Sequence, residues 1–406
     1  MHAAGARILE QALSKVGSGR RREPLLCCDQ AMHSVGRKQK TILTLLGPVV
    51  YDRSVYQCTI CRTTRCPGDE ALDVVNTTRS PGVRRLVARA GSHGAFREGR
   101  DDLKVYAGIT VSTKDVERGA EEVGKQIEAW QQQERSTLHP APVQEHDAIP
   151  VMYIAYDGTG VPMTHRELAG RKGKQEDGTS KTREAKLGCV FTQTSTDDRG
   201  RPVRDPASTS FVGAIEDVHA FGPRIYDEAL RRGLAHAQRV VILGDGALWI
   251  RGIAQDFFPQ ALHIVDLYHA REHVADLAKL LANGNTEKNF RSRFRWWALL
   301  DRGLVEQILQ EARLCIPSDP TLLEKITKEI NYLNENRDRM RYKYFRSLGL
   351  FVGSGVIEAG CKSLVGLRLK QSGMHWSVRG ANAILALRCV SLSARFEDFW
   401  ESRCAA

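Results

Sequence analysis

Short runs of apolar residues lead to three aspartates, Asp157, Asp245 and Asp266. Runs of this length are typical of buried strands, and the carboxyl ends of neighbouring strands in an α/β sheet meet at one crevice. Carboxylate oxygens are the ligands that Mg²⁺ and Mn²⁺ prefer. The pattern therefore predicts that these side chains share divalent cations. The alternative is that the Asp-Gly pairs among them are ordinary turn dipeptides.

Five of the ten cysteines lie between residues 27 and 66. Cys58 and Cys61 have the spacing with which two thiolates hold one tetrahedral zinc ion. Cys27 or Cys28, with His33 as a further candidate, can supply the other half. A strand-like segment broken by Gly-Pro lies between the two halves, as in a zinc ribbon. We expect a zinc-ribbon-like β module with structural Zn²⁺; the alternative is a zinc-free hairpin carrying spare thiols.

The segment that carries the aspartates alternates between two patterns. Apolar runs of strand length cover residues 151–156, 185–194, 240–243 and 262–265. Helical patterns cover residues 220–232, 247–257 and 269–281. Strands that alternate with helices indicate an α/β layer. Residues 283–346, rich in arginine and aromatic side chains, continue the helical pattern.

A helical segment precedes this layer. Ser80-Pro81 has the form of a helix start, and a second helix is predicted to end near Gly108. Ser112-Thr-Lys-Asp115 resembles a capping box that opens a third helix running to Trp130. Three such helices suit a DNA-binding helix-turn-helix or, equally, any small helical bundle. Residues 136–150, with three prolines, are predicted to form a linker.

The charge distribution favours a polyanionic partner. The chain carries 59 Lys and Arg against 48 Asp and Glu, a net charge of +11. The net charge is +4 over residues 1–150, zero over 151–282 and +7 over 283–406. A neutral middle between basic flanks is the pattern expected of a catalytic core with arms that hold nucleic acid. A solvated basic surface is the simpler alternative.

The composition excludes several classes of protein. At about 150 residues per domain, 406 residues correspond to more than one domain, and the balance of apolar and charged residues excludes wholesale disorder. The longest stretch without a charged residue is eleven residues, whereas a membrane-spanning helix needs about 20. We find no signal segment and expect no disulfide framework. The expectation is a soluble, cytoplasmic protein.

Six motifs follow one another along the chain: Asp157-Gly-Thr-Gly-Val-Pro, residues 181–194, Gly244-Asp-Gly-Ala-Leu-Trp-Ile, Ile264-Val-Asp-Leu-Tyr-His-Ala, Gly355-Val-Ile-Glu-Ala-Gly-Cys-Lys and Val378-Arg-Gly-Ala-Asn-Ala. In this order they resemble bacterial insertion-sequence transposases of the ISKra family. That family belongs with the Mutator-like DDE transposases, whose catalytic domain has an RNase H-like fold. The resemblance extends over residues 24–400.

The resemblance implies a catalytic triad of Asp157, Asp245 and Glu358 that holds two Mg²⁺ or Mn²⁺ ions. Such an enzyme hydrolyses phosphodiester bonds at the ends of its element and transfers the ends to target DNA. Asp266 and His269 fall on the Asp-x-x-His motif of the Mutator-like enzymes, and we assign them a supporting role.

The resemblance further implies a homodimer or larger assembly on element and target DNA, in the nucleoid region of a bacterial cytoplasm, with no membrane contact. It also matches Cys27, Cys28, Cys58 and Cys61 to a zinc ribbon, with Leu25 standing where the family pattern has its first cysteine.

These observations predict four parts. A zinc-ribbon-like module covers residues 1–75, a helical DNA-binding module 76–135 and a linker 136–150. An α/β RNase H-like catalytic domain covers 151–406, with a helical insertion at about 283–346.

Several basic or aromatic residues are candidates for DNA contacts: Arg171, Lys172, Lys174, Lys370, Trp376 and Arg379. The first three lie in a Gly-, Lys- and Arg-rich segment, residues 164–182, that we expect to project as a basic hairpin. Trp376 can stack on an unpaired base, but a core position is the favoured alternative.

Two other functions remain open at this point. The first is a DNA-binding protein descended from a transposase with an inactive site. The second, a minor one, is a zinc peptidase, because the segment from His269 to His273 matches His-x-x-Glu-His.

Overall fold

The computed structural model describes residues 2–18, 23–137, 148–173, 175, 178–315, 317 and 319–403. The chain has a mixed α/β structure that divides by internal contacts into two units, Met1–Trp130 with Arg395–Ala406, and Gln131–Ala394. The sequence analysis extends the catalytic domain to residue 406, whereas residues 395–403 group by their contacts with the first unit. Across the described ranges, every helix is too short or too polar to cross a membrane.

The first unit begins with helix α1 (His2–Gly17) and a set of antiparallel strands. Strands β1 (Leu26–Cys27) and β2 (Gln30–Ala31) form a small hairpin, and β3 (His33–Thr44), β4 (Gly47–Gln57) and β5 (Thr64–Arg65) form a three-stranded sheet. The hairpin between β3 and β4 turns through two residues and re-enters at Gly47, whose φ of 102° favours glycine. A short helix, α2 (Pro67–Ala71), follows.

The three predicted helices are confirmed as α3 (Pro81–His93), α4 (Phe96–Ala107) and α5 (Thr113–Thr137). Helix α5 continues past the predicted end at Trp130 and reaches the first two residues of the predicted linker. The predicted cap of α5 is present, because Ser112 and Asp115 exchange hydrogen bonds between side chain and backbone N–H, each of 3.1 Å. The predicted linker, residues 136–150, lies largely outside the described residues.

The second unit contains a five-stranded mixed sheet. Its strands are β6 (Val151–Pro162), β7 (Thr182–Gln193), β10 (Ser210–Ala214), β11 (Val240–Gly244) and β12 (Leu262–Val265), in the order β10-β7-β6-β11-β12. The first three are antiparallel, and β6, β11 and β12 are parallel. Four of these strands confirm sequence predictions, whereas β10 was not predicted. Helix α6 (His165–Leu168) and the hairpin of β8 (Ser195–Thr196) and β9 (Pro202–Val203) flank the sheet.

Helices α7 (Val218–Arg231), α8 (Leu248–Phe257) and α9 (Leu267–Ala282) confirm the predicted helical patterns. On one face of the sheet, alternate residues of β6 pack against α7 and α8 in a buried core that includes Met152, Ile154, Tyr156, Phe221 and Ile250. Because successive side chains of a strand point to opposite faces, the intervening residues of β6, Asp157 among them, face the other way.

A helical segment follows α9, as residues 283–346 predict. It consists of α10 (Thr286–Asp301), α11 (Val305–Arg313), α12 (Pro320–Asn336) and α13 (Tyr342–Ser347). Helix α14 (Gly355–Cys361) then contacts β6 and β7, and a π-helical turn, Lys362–Gly366, joins it to α15 (Leu367–Leu369). Helix α16 (Val378–Leu392) contacts β10, and α17 (Phe396–Ser402) belongs to the first unit.

Candidate functional site

Asp157 and Asp245 lie at the same edge of the sheet. In the parallel pair of β6 and β11, Leu243 lies beside Ala155, and each aspartate comes two residues later. Burial raises the pKa of Asp157, and the negative charge of Asp245 raises it further, against hydrogen bonds from Cys361 and from the Gly158 N–H. The two carboxylates therefore repel each other at the strand ends.

Asp266 follows the next parallel strand and begins α9. It is fully buried, accepts a 2.8 Å hydrogen bond from the His269 N–H, and accepts another from the Ser354 N–H. Burial alone would raise the pKa of Asp266, but the hydrogen bonds from His269 and Ser354 lower it. Asp266 is thus an ionised N-cap whose oxygens are already engaged.

His269 is held by that same carboxylate. Its Nδ1 lies 3.3 Å from Oδ1 of Asp266, and this hydrogen bond raises the pKa of His269 to about 9, with the charges of Asp266 and Asp245 adding to the effect. The imidazole is therefore protonated at neutral pH and places a positive charge beside the aspartates.

Glu358 reaches the site from α14. Its Oε1 accepts a 3.0 Å hydrogen bond from the Ser354 hydroxyl. One ligand atom each of Glu358, Asp266 and His269 lie within 4.8 Å of one another. Asp157 and Asp245 lie outside this set. Glu358 is therefore grouped with Asp266 and His269, the two residues assigned a supporting role, and not with the two aspartates of the predicted triad.

Cys361 connects the two halves of the site. Its Sγ lies 3.1 Å from Oδ2 of Asp157, and burial, with the charge of Asp157, raises the pKa of the thiol so that it stays protonated and donates. Because Glu358 and Cys361 are three residues apart, they share one face of the helix. Helix α14 therefore spans the strand ends, with Glu358 at Asp266 and Cys361 at Asp157.

The sequence analysis assigns no role to Cys361 or to Ser354. The spacing of Cys361 from Glu358 was the available signal for the first. The role of Ser354 depends on its contacts with Asp266 and Glu358. The contact with Asp266 joins distant parts of the chain, so a local sequence pattern does not predict it.

The donor set suits a divalent cation of the Mg²⁺ type. Asp157, Asp245 and Glu358 offer hard oxygen ligands, and within the described residues none of the three forms an ion pair with lysine or arginine. The nearby ammonium of Lys370 is instead bonded to Oγ1 of Thr159 at 2.5 Å. A bound cation would offset the repulsion between the two aspartates.

The candidate DNA-contacting residues have different surroundings. Trp376 is 6% exposed and donates a 3.0 Å hydrogen bond to the Leu369 carbonyl, which confirms the core alternative. Arg171, Lys172 and Arg379 are exposed, whereas Lys174 lies outside the described residues.

The four N-terminal thiols come together within the first unit. One Sγ of each of Cys27, Cys28, Cys58 and Cys61 lies within 4.8 Å of the others, with 3.5 Å between Cys27 and Cys61 and 4.0 Å between Cys27 and Cys28. Four thiolates at about 2.3 Å from one tetrahedral ion have such separations. The thiols therefore fit a structural zinc ion.

Positive backbone angles make the thiol cluster possible. Cys28 has φ of 50° and Asp29 has φ of 58°, so the chain reverses sharply and two adjacent thiols approach one point. Arg62, directly after Cys61, also has a positive φ of 62°. Hydrogen bonds with Thr63 lower the pKa of Cys61 to about 6, whereas hydrogen bonds with Cys61 raise the pKa of Cys27 and of Cys28. Cys61 is therefore ionised before Cys27 and Cys28 as the pH rises.

The His-x-x-Glu-His segment does not form a ligand set among the described residues. His269 is bound to Asp266, whereas Nδ1 of His273 lies 2.6 Å from Oε2 of Glu329 and its ring stacks on Tyr332 at 3.6 Å between centroids. The two histidines have separate partners, which leaves the peptidase alternative without a metal site at this motif.

Comparisons with known proteins give one family. The profile of the uncharacterised protein family UPF0236 matches residues 28–397. A protein of Streptococcus gallolyticus described as "UPF0236 protein in vanSb 3'region" is 23% identical over 348 residues, 83% of this chain and 69% of the relative. A Drosophila P element transposase strand transfer complex aligns over 81% of each chain at 9% identity, with a TM-score of 0.27, too low to carry an argument. Because the profile matches nearly the whole sequence, the chain belongs to the family UPF0236.

Proposed function

We propose that this protein is a DNA transposase of a bacterial insertion sequence, related to the ISKra family, that uses Asp157, Asp245 and Glu358 for metal-dependent phosphodiester chemistry. The observation that carries the proposal is a set of carboxylates with no Lys or Arg partner among the described residues. Asp157 and Asp245 follow neighbouring strands, and the helix that bears Glu358 bonds to Asp157 through Cys361. Such a set suits a divalent cation and the phosphate oxygens that a cation attracts.

The arrangement of the sheet supports an RNase H-like assignment. Along the chain, three antiparallel strands of the sheet are followed by two parallel ones, and the order β10-β7-β6-β11-β12 places the first strand of this sheet, β6, at its centre. Asp157 and Asp245 then leave adjacent strands, as the resemblance to DDE transposases implies. The helices α10 to α13 occupy the position of the expected insertion before Glu358.

The residues of the site would have different roles in the reaction. Asp157, Asp245 and Glu358 would hold two Mg²⁺ or Mn²⁺ ions. When bound, such ions activate a water or a 3′-hydroxyl and stabilise the departing oxygen of a phosphodiester. Asp266 positions the imidazole of His269 through its Nδ1, and Ser354 orients both Asp266 and Glu358. The protonated His269 can attract a DNA phosphate to the carboxylates.

The first unit would recognise DNA. Its four thiols would hold structural Zn²⁺, and its helices α3 to α5 would contact the ends of the element as a helix-turn-helix-like module. The exposed Arg171, Lys172 and Arg379 would add phosphate contacts. Joining two ends requires a dimer or larger assembly on the DNA.

Incubation of the purified chain with Mg²⁺ and DNA bearing the terminal repeats that flank its gene tests this proposal. We expect cleavage at the repeat ends that leaves 3′-hydroxyls. Asp245→Asn should abolish cleavage while binding to the ends persists, whereas Asp256→Asn, which changes an exposed aspartate of α8, should cleave normally. If wild type and Asp245→Asn cleave equally, the triad is misassigned. If wild type binds the ends but never cleaves, the protein is the inactive DNA-binding alternative.

A further inference from the structure

A second group of cationic or hydrogen-bonding side chains lies in the α/β unit and shares no residue with the carboxylate site. Arg251 on α8, His263 on the edge strand β12 and Arg339 in the short turn Arg337–Arg339 line one cavity of about 320 Å³. Three separate segments of the chain therefore deliver a cationic or hydrogen-bonding group to the same place.

These groups are not neutralised by the protein. Nε2 of His263 and Nη1 of Arg339 are buried and have no hydrogen-bond partner among the described residues. Over the same residues, no carboxylate forms an ion pair with any of the three side chains. Arg339 donates only a 3.3 Å hydrogen bond, to the carbonyl of Glu335, and feels the charges of Glu335 and Asp338 at longer range.

The three side chains also disfavour one another's charge. Burial, with the positive charges of Arg339 and Arg251, lowers the pKa of His263 to about 3. Burial, with the charge of Arg251, lowers the pKa of Arg339 as well. Buried polar groups are normally paired, and an unpaired donor is costly. An anion with several acceptor oxygens would pair these donors and offset their positive charge.

We propose that the cavity of Arg251, His263 and Arg339 binds a phosphate group. Two guanidinium groups present planar donors that match phosphate oxygens, and the imidazole adds a third donor. A tetrahedral phosphate can accept from three directions at once, whereas a carboxylate offers two oxygens in one plane. The site is distinct from the carboxylate site and does not depend on its proposed chemistry.

Two sources can supply the phosphate, namely a free phosphate or phosphomonoester and the backbone of DNA. Calorimetric titration of the full chain with inorganic phosphate tests the first. Titration with duplex DNA over a range of salt concentrations tests the second. Arg251→Gln and Arg339→Gln are the test variants, and Arg302→Gln, which removes an exposed arginine outside the cavity, is the matched control.

We expect each test variant to weaken binding of one of these ligands by about tenfold or more, the loss that follows removal of a hydrogen bond to a charged group. Weakened binding of inorganic phosphate indicates a small ligand. Weakened DNA binding, with a salt slope smaller by about 0.9, indicates a backbone phosphate. Thermal unfolding without ligand should be unchanged or shifted upward in the test variants, because a repulsive charge is removed.

The proposal is overturned if both test variants bind phosphate and DNA as wild type does, or if Arg302→Gln weakens binding equally. Neither result bears on cleavage by the carboxylates, which Asp245→Asn examines separately.

Discussion

The thiol cluster of the first unit and the carboxylate site of the second both gather candidate metal ligands, but from segments that differ greatly in their separation along the chain. Cys27, Cys28, Cys58 and Cys61 come from two short turns, and three of the four are exposed or half-buried. The carboxylates come from the ends of β6, β11 and β12 and from α14. The first and last of these segments are about 200 residues apart along the chain and are joined by the hydrogen bond between Cys361 and Asp157.

The difference follows from what each site requires. A small β module has little core of its own, so a metal that closes its turns can contribute directly to folding. The carboxylates instead sit on a sheet whose buried core forms without them. Under the proposed function, zinc at the thiol cluster would stabilise the β module, whereas the ions at the carboxylate site would serve chemistry alone.

The largest effect is expected at the thiols. Cys61→Ser should reduce bound zinc from one ion per chain to almost none and unfold the β module, because structural zinc contributes roughly 10–16 kcal/mol of apparent binding free energy in small zinc peptides. Elemental analysis and circular dichroism measure both effects, with Cys315→Ser, an exposed cysteine, as the control. A folded β module in wild-type protein that contains no zinc would show that the thiol cluster needs no metal for its structure.

The next effect is expected at the triad. Glu358→Gln should lower the cleavage rate on the order of 10²–10³-fold or more, the cost of losing one group that stabilises the transition state, with the unfolding temperature almost unchanged. Glu324→Gln, on the exposed side of α12, is the control in the same cleavage assay. Loss of folding rather than of cleavage in Glu358→Gln would mean that this carboxylate is structural.

A smaller effect is expected from the serine that orients the site. Ser354→Ala keeps the backbone N–H that bonds Asp266 but removes the hydroxyl that bonds Glu358. Loss of such a partner typically costs about 10–100-fold in metal affinity, so the Mg²⁺ concentration for half-maximal cleavage should rise by that factor. Ser347→Ala, an exposed serine, should leave the Mg²⁺ dependence unchanged, and an unchanged dependence in Ser354→Ala would remove Ser354 from the site.

The smallest effect concerns stability and pH in the metal-free protein. The pKa of Asp157 is raised above its unfolded value of 3.8, so the ionised group costs stability once the pH exceeds its folded pKa. Asp157→Asn should therefore raise the unfolding temperature at pH 7 by a few degrees at most, and this gain should vanish below pH 3.8.

Asp266 should behave in the opposite way. Its pKa is lowered, so its contribution is present above 3.8 and lost as the pH falls through its folded pKa. Asp266→Asn should thus destabilise the protein at pH 7. Thermal scans from pH 3 to pH 7 measure both variants. Changes of the same sign in the unfolding temperatures of Asp157→Asn and Asp266→Asn at pH 7 would contradict the opposite pKa shifts of the two aspartates.

Much of the fold could be predicted from the sequence. The β12 strand and the helices α3 to α5 follow directly from apolar runs, caps and a glycine at Gly108. Strand β10 has no continuous apolar run to predict it, because its sequence Ser210-Phe-Val-Gly-Ala holds only two large apolar residues, whereas β11 and β12 are almost entirely large and apolar. The strand is identified by its antiparallel pairing with the adjacent strand β7.

The site was less accessible to sequence reasoning. The strand-ending aspartates follow from local pattern, but Glu358 came from the resemblance, since a single glutamate on a helix has no distinguishing feature. The adjacency of Cys27 and Cys28 also argues against a shared ion when only sequence is considered. The left-handed backbone at Cys28 is a tertiary outcome that removes this objection.

The most direct test is a crystal structure of the full chain grown with Mn²⁺ and analysed by anomalous scattering. We expect Mn²⁺ peaks at roughly 2.1 Å, the ligand distance of a hard divalent ion, from carboxylate oxygens of Asp157, Asp245 and Glu358. Saturating Mn²⁺ that leaves these three carboxylates without a shared ion, or that occupies only other residues, would contradict this expectation.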